Sequence, residues 1–200
     1  MKKNTDPLVP DTCYHIFNRG INGENIFKEK RNYSFFLNKY SKYIGPIAFT
    51  YSFCLLKNHF HFLIRTRSEE IIKKCKLPGK NYEPEQIISL QFGHLFNSYA
   101  QAINKRNSRT GGLFETPFRR IEIKEERYLI QLIPYMHFNP VKHGFTSDYT
   151  NYPYSSYRSL LKGENKLLDS KTVMNWFGNR QLFVSYHKDW SEGSDLNSEY

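Results

Sequence analysis

The spacing of apolar residues predicts that strands and helices alternate along the first third of the chain. Residues 12–18 alternate apolar and polar side chains, which is typical of a strand. Residues 29–44 place apolar side chains at helical spacing. Residues 47–56 and 59–65 are two short runs rich in β-forming residues. A two-residue break separates them, so the pattern predicts a hairpin.

The helical period returns over residues 84–107, and residues 119–124 alternate like a fourth strand. Residues 125–138 predict a further helix, bent at Pro134 and ended by Pro140. The resulting order, β-α-β-β-α-β, predicts an α+β protein. It suits a ferredoxin-like split βαβ antiparallel sheet with helices packed on one face. Another α+β sandwich is the alternative.

The pattern divides the chain into a main domain, residues 1–165, and a C-terminal helical appendage with an acidic tail, residues 166–200. Short helices are expected near 154–161 and 170–178. Residues 189–200 contain four acids and no base, and we expect them to fray. The charged segment 68–84 is expected to be a loop or a short helix, and no function follows from it.

Composition narrows the class of protein. The 200 residues include 29 Lys and Arg against 19 Asp and Glu, a net charge of +10, which favours a polyanionic partner such as nucleic acid. Aromatic residues make up 16%, which excludes a long disordered chain. The sequence shows no apolar run near 20 residues, no secretory signal and three scattered cysteines. We therefore expect a cytoplasmic protein with reduced thiols.

Two histidines open the second strand of the predicted hairpin. Side chains at i and i+2 of a strand share a face, so His59 and His61 would lie about 7 Å apart along it. Imidazole binds transition metals, and a two-histidine site leaves coordination positions for substrate oxygens. The alternative is a pair of partly buried, hydrogen-bonded histidines, which the spacing alone favours.

A tyrosine and an asparagine share one face of the predicted helix 125–138. Tyr135 and Asn139 are four residues apart, whereas His137 points elsewhere. A phenol and a carboxamide could place a nucleophile and a neutral oxygen ligand beside one ion. The alternative is a core tyrosine before a helix-ending Asn-Pro. Tyr128, one heptad earlier, is the main rival nucleophile, and Tyr99 is a weaker one.

A basic stretch with interleaved aromatic residues lies between the predicted helix and the fourth strand. Arginines anchor phosphates and aromatic rings stack on unpaired bases, so the stretch suits single strands or hairpin stems. A solvated turn is the alternative. The candidate DNA-binding residues are Arg19, Lys105, Arg106, Arg109, Arg119 and Arg120.

Several linked strings carry a resemblance to a known family. They are YHIFNRG (14–20), YSFCLLKNHFHFLI (51–64), GGLFETPFRR (111–120) and YMHFNPVKHGF (135–145). Over roughly residues 12–161, the chain resembles the single-tyrosine HUH transposases, and specifically the REP-associated tyrosine transposase branch. The resemblance implies a ferredoxin-like fold and an enzyme that cleaves and rejoins single-stranded DNA at hairpin-flanked sites. It also implies a 5′-phosphotyrosine intermediate.

The resemblance also implies residue roles. His59 and His61 match the metal-binding histidine pair, Tyr135 the nucleophile and Asn139 the amide-type third ligand. Mg²⁺ or Mn²⁺ is expected, with single-stranded or hairpin DNA as the partner and a monomer favoured over a dimer.

Three alternatives stay open. One is a non-catalytic or domesticated hairpin-binding protein, and another is a rolling-circle initiator or relaxase, which usually carries a third histidine ligand. The third, a metal-dependent hydrolase, is disfavoured because few acidic residues lie near the motifs.

Overall fold

The computed structural model of the protein describes residues 5–79 and 81–193, and within them four strands form one antiparallel sheet. The strands are β1 (Cys13–Arg19), β2 (Ala48–Leu55), β3 (His59–Thr66) and β4 (Arg119–Ile123). Their order across the sheet is β2-β3-β1-β4. Every neighbouring pair is antiparallel, and the first helix links β1 to β2 across the intervening β3. The predicted α+β class and split βαβ sheet are confirmed.

Seven helices accompany the sheet in the described part of the chain. They are α1 (Lys30–Ile44), α2 (Glu69–Lys73), α3 (Pro84–Arg106), α4 (Glu126–Lys142), α5 (Tyr157–Lys162), α6 (Ser170–Phe177) and α7 (Arg180–Gly193). Single 3₁₀ turns occupy Ile21–Gly23 and Tyr149–Asn151. None of these helices is both long and apolar enough to cross a membrane.

One face of the sheet packs against α1 and α3 through aromatic side chains. Phe62 of β3 stacks on Tyr40 of α1, with ring centroids 4.1 Å apart. Phe60 lies 5.2 Å from Phe36 of α1 and 5.8 Å from Phe96 of α3. Both β3 residues are about 1% exposed. These rings form an apolar layer that fixes one side of β3.

The opposite face of the sheet is covered by α4. The predicted end of this helix is wrong. The pattern ended this helix before Pro140, but it continues to Lys142 with Pro134 and Pro140 inside it. A proline in a helix costs about 3 kcal/mol. Burial of the helix offsets that cost, since Pro134, Met136, His137, Asn139 and Pro140 are all buried.

The C-terminal residues pack against this same side of the molecule. Helices α5 and α6 lie close to the predicted segments, but α7 was not predicted. It covers residues 180–193, so the expectation that fraying begins at residue 189 is wrong for residues 189–193. Residues 194–200 lie outside the described part. Trp190 of α7 packs 5.6 Å from Phe138 of α4. The boundary after residue 165 stays a prediction.

Candidate active site

The histidine pair faces α4, because side chains alternate along β3. His59 and His61 have ring centroids 5.3 Å apart, whereas Phe60 points to the layer beneath α1 and α3. The pair borders a cleft of about 390 Å³. The other residues that line the cleft are Phe17, Asn18, Arg19, Asn58, Phe60, Arg119 and His143.

One ring nitrogen of each histidine is held by a protein partner. Nδ1 of His59 lies 2.7 Å from Oδ1 of Asn58, and Nδ1 of His61 lies 2.9 Å from Nε2 of His15. An amide oxygen only accepts hydrogen bonds, so His59 donates its Nδ1 proton to Asn58. In neutral His59, Nε2 is therefore left as the nitrogen that can bind a ligand.

Burial keeps the imidazoles of this cluster neutral. It lowers the pKa of His59 to about 3, with further lowering from the charges of His143 and Arg19. Burial also lowers the pKa of His15 to about 3 and holds the pKa of His61 well below its usual value. Neutral imidazole is the form that binds metals.

Helix α4 and the residue that caps its end, His143, present three side chains toward the histidines at intervals of four residues. The Tyr135 ring lies 6.2 Å from the His61 ring, and the His143 ring lies 4.7 Å from the His59 ring. Asn139 is one helical turn from Tyr135 and one from His143, so it lies on the same side of the helix as those two residues. That side faces the histidine pair. The helix thus brings Tyr135 and Asn139 to the side of the sheet that carries His59 and His61.

The side chain of Asn139 has an unused oxygen. The residue is 1% exposed, and its Nδ2 donates to the backbone oxygen of Tyr135 at 3.2 Å. Its Oδ1 is buried and has no hydrogen-bond partner among the described residues. A buried polar atom without a partner costs about 1–3 kcal/mol, so its presence calls for an explanation. An amide oxygen on the helix that faces two neutral imidazoles could serve as a ligand of a divalent cation.

A site made of His, Cys or carboxylate ligands alone does not form in the described residues. They contain no group of three such side chains placed to hold a metal, although His143 stands beside His59. The groups that could hold a metal here are two imidazoles and the amide oxygen of Asn139.

Tyr135 is the tyrosine placed beside this donor set. Its ring is half-buried, and it also lies 5.7 Å from the Lys142 ammonium and 6.3 Å from the Trp190 ring. Tyr99 is fully buried beneath the other face of the sheet, where its hydroxyl donates to a backbone oxygen. Tyr128 borders a separate hollow with none of the cleft residues in its lining.

Two comparisons with known proteins bear on this arrangement, while no family model matches the chain. A Haemophilus influenzae protein named as a REP-associated tyrosine transposase is 25% identical over 137 residues, which cover 68% of this chain and 70% of that protein. The chain resembles the REP-associated tyrosine transposases. This is the predicted resemblance, and it is confirmed.

The second comparison concerns the fold. A solved structure of a REP-associated tyrosine transposase bound to a REP hairpin superposes with a TM-score of 0.61. The match covers 85% of this chain and 90% of that one, at 13% identity. The likeness to the REP-associated tyrosine transposases thus extends to the fold across most of the chain.

Two of the predicted DNA-binding residues border the cleft. Arg19 and Arg119 both pair with Glu115, at 3.2 and 3.5 Å, and both are about half exposed. Arg120, the next residue of β4, lies on the opposite face, where its guanidinium donates to the backbone oxygen of Asp6. The alternation of the strand therefore separates the two neighbouring arginines.

The remaining predicted basic residues lie at the end of α3 and in the turn after it. Arg106 pairs with Glu29 at 3.5 Å, and Arg109 pairs with Glu24 at 2.9 Å. Lys105 is exposed. The six candidates therefore do not form one patch, and acidic partners offset several of their charges.

Four residues at the site are not predicted from the sequence. His15 and Asn58 hold the histidine pair, His143 borders the cleft, and Trp190 contacts Tyr135. His143 could have been found, because it continues the four-residue spacing of Tyr135 and Asn139. The contact of His15 depends on strand register, and that of Trp190 on the docking of α7, and neither can be read from spacing.

Proposed function

We propose that this chain is a metal-dependent single-stranded DNA transposase that cleaves and rejoins DNA at hairpin-flanked sites through a 5′-phosphotyrosine intermediate. One observation carries the proposal: the Tyr135 ring lies 6.2 Å from the His61 ring, on the same helix face as the unpartnered oxygen of Asn139. The named relatives support it, since both are described as REP-associated tyrosine transposases and one is bound to a REP hairpin.

His59, His61 and Asn139 would hold Mg²⁺ or Mn²⁺. The ion, when bound, would neutralise charge that grows on the scissile phosphate. The chain's contribution is to present two neutral imidazoles whose Nδ1 atoms are already engaged, together with a neutral amide oxygen. Such a neutral ligand set leaves the positive charge of the cation available to the phosphate.

Tyr135 would be the nucleophile. Its phenolic oxygen forms a bond to the phosphorus while the bond from phosphorus to the 3′ oxygen breaks. The proton lost by the phenol is balanced by the proton gained by the departing 3′ oxygen, so the products are a 3′-hydroxyl and a DNA 5′ phosphate esterified to Tyr135. Attack of another 3′-hydroxyl on this ester reverses the exchange and frees Tyr135, so rejoining needs no external energy source.

Arg19 and Arg119 would bind the DNA backbone next to the cleft. Both guanidinium groups are half exposed, and a backbone phosphate could compete with Glu115 for them. Phe17, which borders the same cleft, offers a ring for an unpaired base. The proposed partner is therefore an unpaired strand beside a hairpin, bound by a monomer.

The test uses single-stranded DNA that carries a hairpin with unpaired flanks, labelled at the 3′ end and incubated with Mg²⁺ or Mn²⁺. The labelled fragment that retains the 5′ phosphate stays on the protein, so the proposal predicts a protein–DNA band that survives denaturation. EDTA should abolish this band. Tyr135→Phe should lose it as well, since only the phenolic oxygen has been removed.

Tyr128→Phe is the matched control, because it makes the same change one heptad earlier on α4. It should retain the covalent band. A band that persists in Tyr135→Phe would show that the nucleophile is another residue. A wild-type protein that binds the hairpins and never cleaves them would support a hairpin-binding protein without catalysis.

A further inference from the structure

We infer that His15 is a positioning residue, which accepts the Nδ1 proton of His61 and so keeps Nε2 of His61 free to bind the metal. The inference deepens the proposed function and rests on it for the identity of the ligand. Its structural part is the position of the proton in the buried hydrogen bond between His15 and His61, which can be tested without metal or DNA.

The contact is built into the sheet. His15 of β1 and His61 of β3 lie on the face beneath α4, two positions out of direct register, because Phe17 is the partner of His61. Nε2 of His15 lies 2.9 Å from Nδ1 of His61, and the two residues are 5% and 7% exposed. The Phe17 ring stacks on both imidazoles, with centroids 4.7 and 5.8 Å away. Packing on this scale holds both rings in one orientation.

One proton lies between the two nitrogens when both rings are neutral, and it can belong to either. If His15 holds it, the proton of His61 is on Nε2, and that nitrogen cannot bind a metal. If His61 holds it on Nδ1, Nε2 of His61 keeps its lone pair. The hydrogen bond made by one ring nitrogen thus determines what the other can do.

The proposed cation site requires the second arrangement. Asn58 accepts the Nδ1 proton of His59 through an oxygen, which leaves Nε2 of His59 with its lone pair. The unpartnered Oδ1 of Asn139 is a further acceptor on the facing helix. With His61 as the Nδ1 donor, the site presents three lone pairs and no proton, which suits a cation. With His15 as the donor, one proton would face it.

The first measurement is made on the metal-free wild-type protein with ¹⁵N-labelled histidine, at neutral pH. Long-range ¹H–¹⁵N correlation spectra identify which nitrogen of each ring carries the proton. We expect His61 to be protonated on Nδ1. A His61 ring protonated on Nε2 would overturn the inference outright, with no variant required.

Two variants separate positioning from packing. His15→Leu removes the acceptor, and His15→Gln restores an acceptor near the position of Nε2. We expect His15→Leu to lose the pure Nδ1-protonated state of His61 and to bind Mn²⁺ about 10- to 100-fold more weakly by titration of free Mn²⁺. His15→Gln should keep the wild-type proton position and lie within a few-fold of wild-type affinity.

His187→Leu is the matched control, since it removes one imidazole of the other buried histidine pair, in which His137 and His187 lie 2.9 Å apart. It should leave the proton of His61 in place. If folded His15→Leu keeps both the His61 proton position and the Mn²⁺ affinity, His15 has no positioning role. If wild-type His61 is protonated on Nδ1 and no protein binds Mn²⁺, the proposed metal chemistry fails while the assigned bond stands.

Discussion

The two faces of the sheet are made by alternate residues of the same strands, and they differ sharply in chemistry. Beneath α1 and α3, β3 contributes Phe60 and Phe62, whose rings pack against other aromatic rings. Beneath α4, the same strand contributes His59 and His61, with polar atoms that need partners. A shift of one residue in register would exchange the two sets, so the apolar face also fixes the position of the polar one.

The difference shows how stability and function are divided. The aromatic face has a full complement of packed neighbours, which is what a protein core requires. The histidine face retains a buried oxygen on Asn139 that no described residue satisfies. Such an atom lowers stability in the metal-free protein, and the proposed cation would give it a partner.

The largest effect should come from opening the aromatic face. Phe62→Ala should lower the free energy of unfolding by about 3–5 kcal/mol, measured by urea denaturation, because it leaves a cavity among closely packed rings. Phe17→Ala makes the same change on the other face, where the side chain is only half-buried. Compared with Phe62→Ala, Phe17→Ala should lower the free energy of unfolding less. It should weaken Mn²⁺ binding more, because the Phe17 ring stacks on the imidazoles of His15 and His61. Equal losses of stability from both changes would contradict the assignment of stability to the aromatic face and of function to the histidine face.

The second effect concerns two buried asparagines on opposite sides of the sheet. Asn139→Leu should raise the free energy of unfolding in EDTA by about 1 kcal/mol, because it removes an unsatisfied amide oxygen. Asn32→Leu, the control on α1, should lower it, because Oδ1 of Asn32 accepts two backbone hydrogen bonds at 3.0 and 2.8 Å. Added Mn²⁺ should stabilise the wild type and not Asn139→Leu. Loss of stability in both variants would argue against a ligand role for Asn139.

The third effect is acid sensitivity of the histidine pair buried between α4 and α7, His137 and His187. Burial lowers the pKa of His187 to about 4, whereas an unfolded histidine has a pKa of about 6.5. The unfolded state therefore binds the proton first as the pH falls. The free energy of unfolding therefore does not depend on this group above about pH 6.5. It falls as the pH drops toward 4, by up to about 1.4 kcal/mol per pH unit for this group.

Urea denaturation between pH 4 and 7.5 measures that slope. His187→Leu removes one titrating group, so it should lower the slope by up to about 1.4 kcal/mol per pH unit. His94→Leu changes an exposed residue of α3 and should leave the slope unchanged. An unaltered slope in His187→Leu would mean that His187 does not stay neutral inside the fold.

The smallest effect should come from the ion pairs at the mouth of the cleft. Glu115→Gln releases Arg19 and Arg119, which are half exposed, so it should change the free energy of unfolding by less than about 1 kcal/mol. Single-stranded DNA should bind a few-fold more tightly and with a steeper dependence on salt, measured by fluorescence anisotropy. Unchanged binding would place the DNA backbone away from these arginines.

Much of this site could be predicted from local periodicity. Residues two positions apart on a strand share a face, which places His59 beside His61. Residues four positions apart on a helix share a face, which places Tyr135 beside Asn139. The same alternation separates Arg119 from Arg120. These relations hold within one element, so no knowledge of packing is needed.

The remainder depends on how elements meet. The bond between His15 and His61 requires the register of β1 against β3, which spacing within either strand does not contain. The end of α4 was misplaced because tertiary burial outweighed the local effect of Pro140. The contact of Trp190 with Tyr135 requires α7 to dock on α4, and residues so far apart in sequence are brought together only by the fold.

The central claim, that Tyr135 forms the covalent bond to DNA, is tested most directly by locating that bond. The trapped protein–DNA complex is digested with nuclease and trypsin, and the peptide 128–142, which holds both Tyr128 and Tyr135, is fragmented in a mass spectrometer. The account predicts a nucleotide phosphate on Tyr135. A phosphate on Tyr128, on any other residue, or on none while the DNA is being cleaved would contradict it.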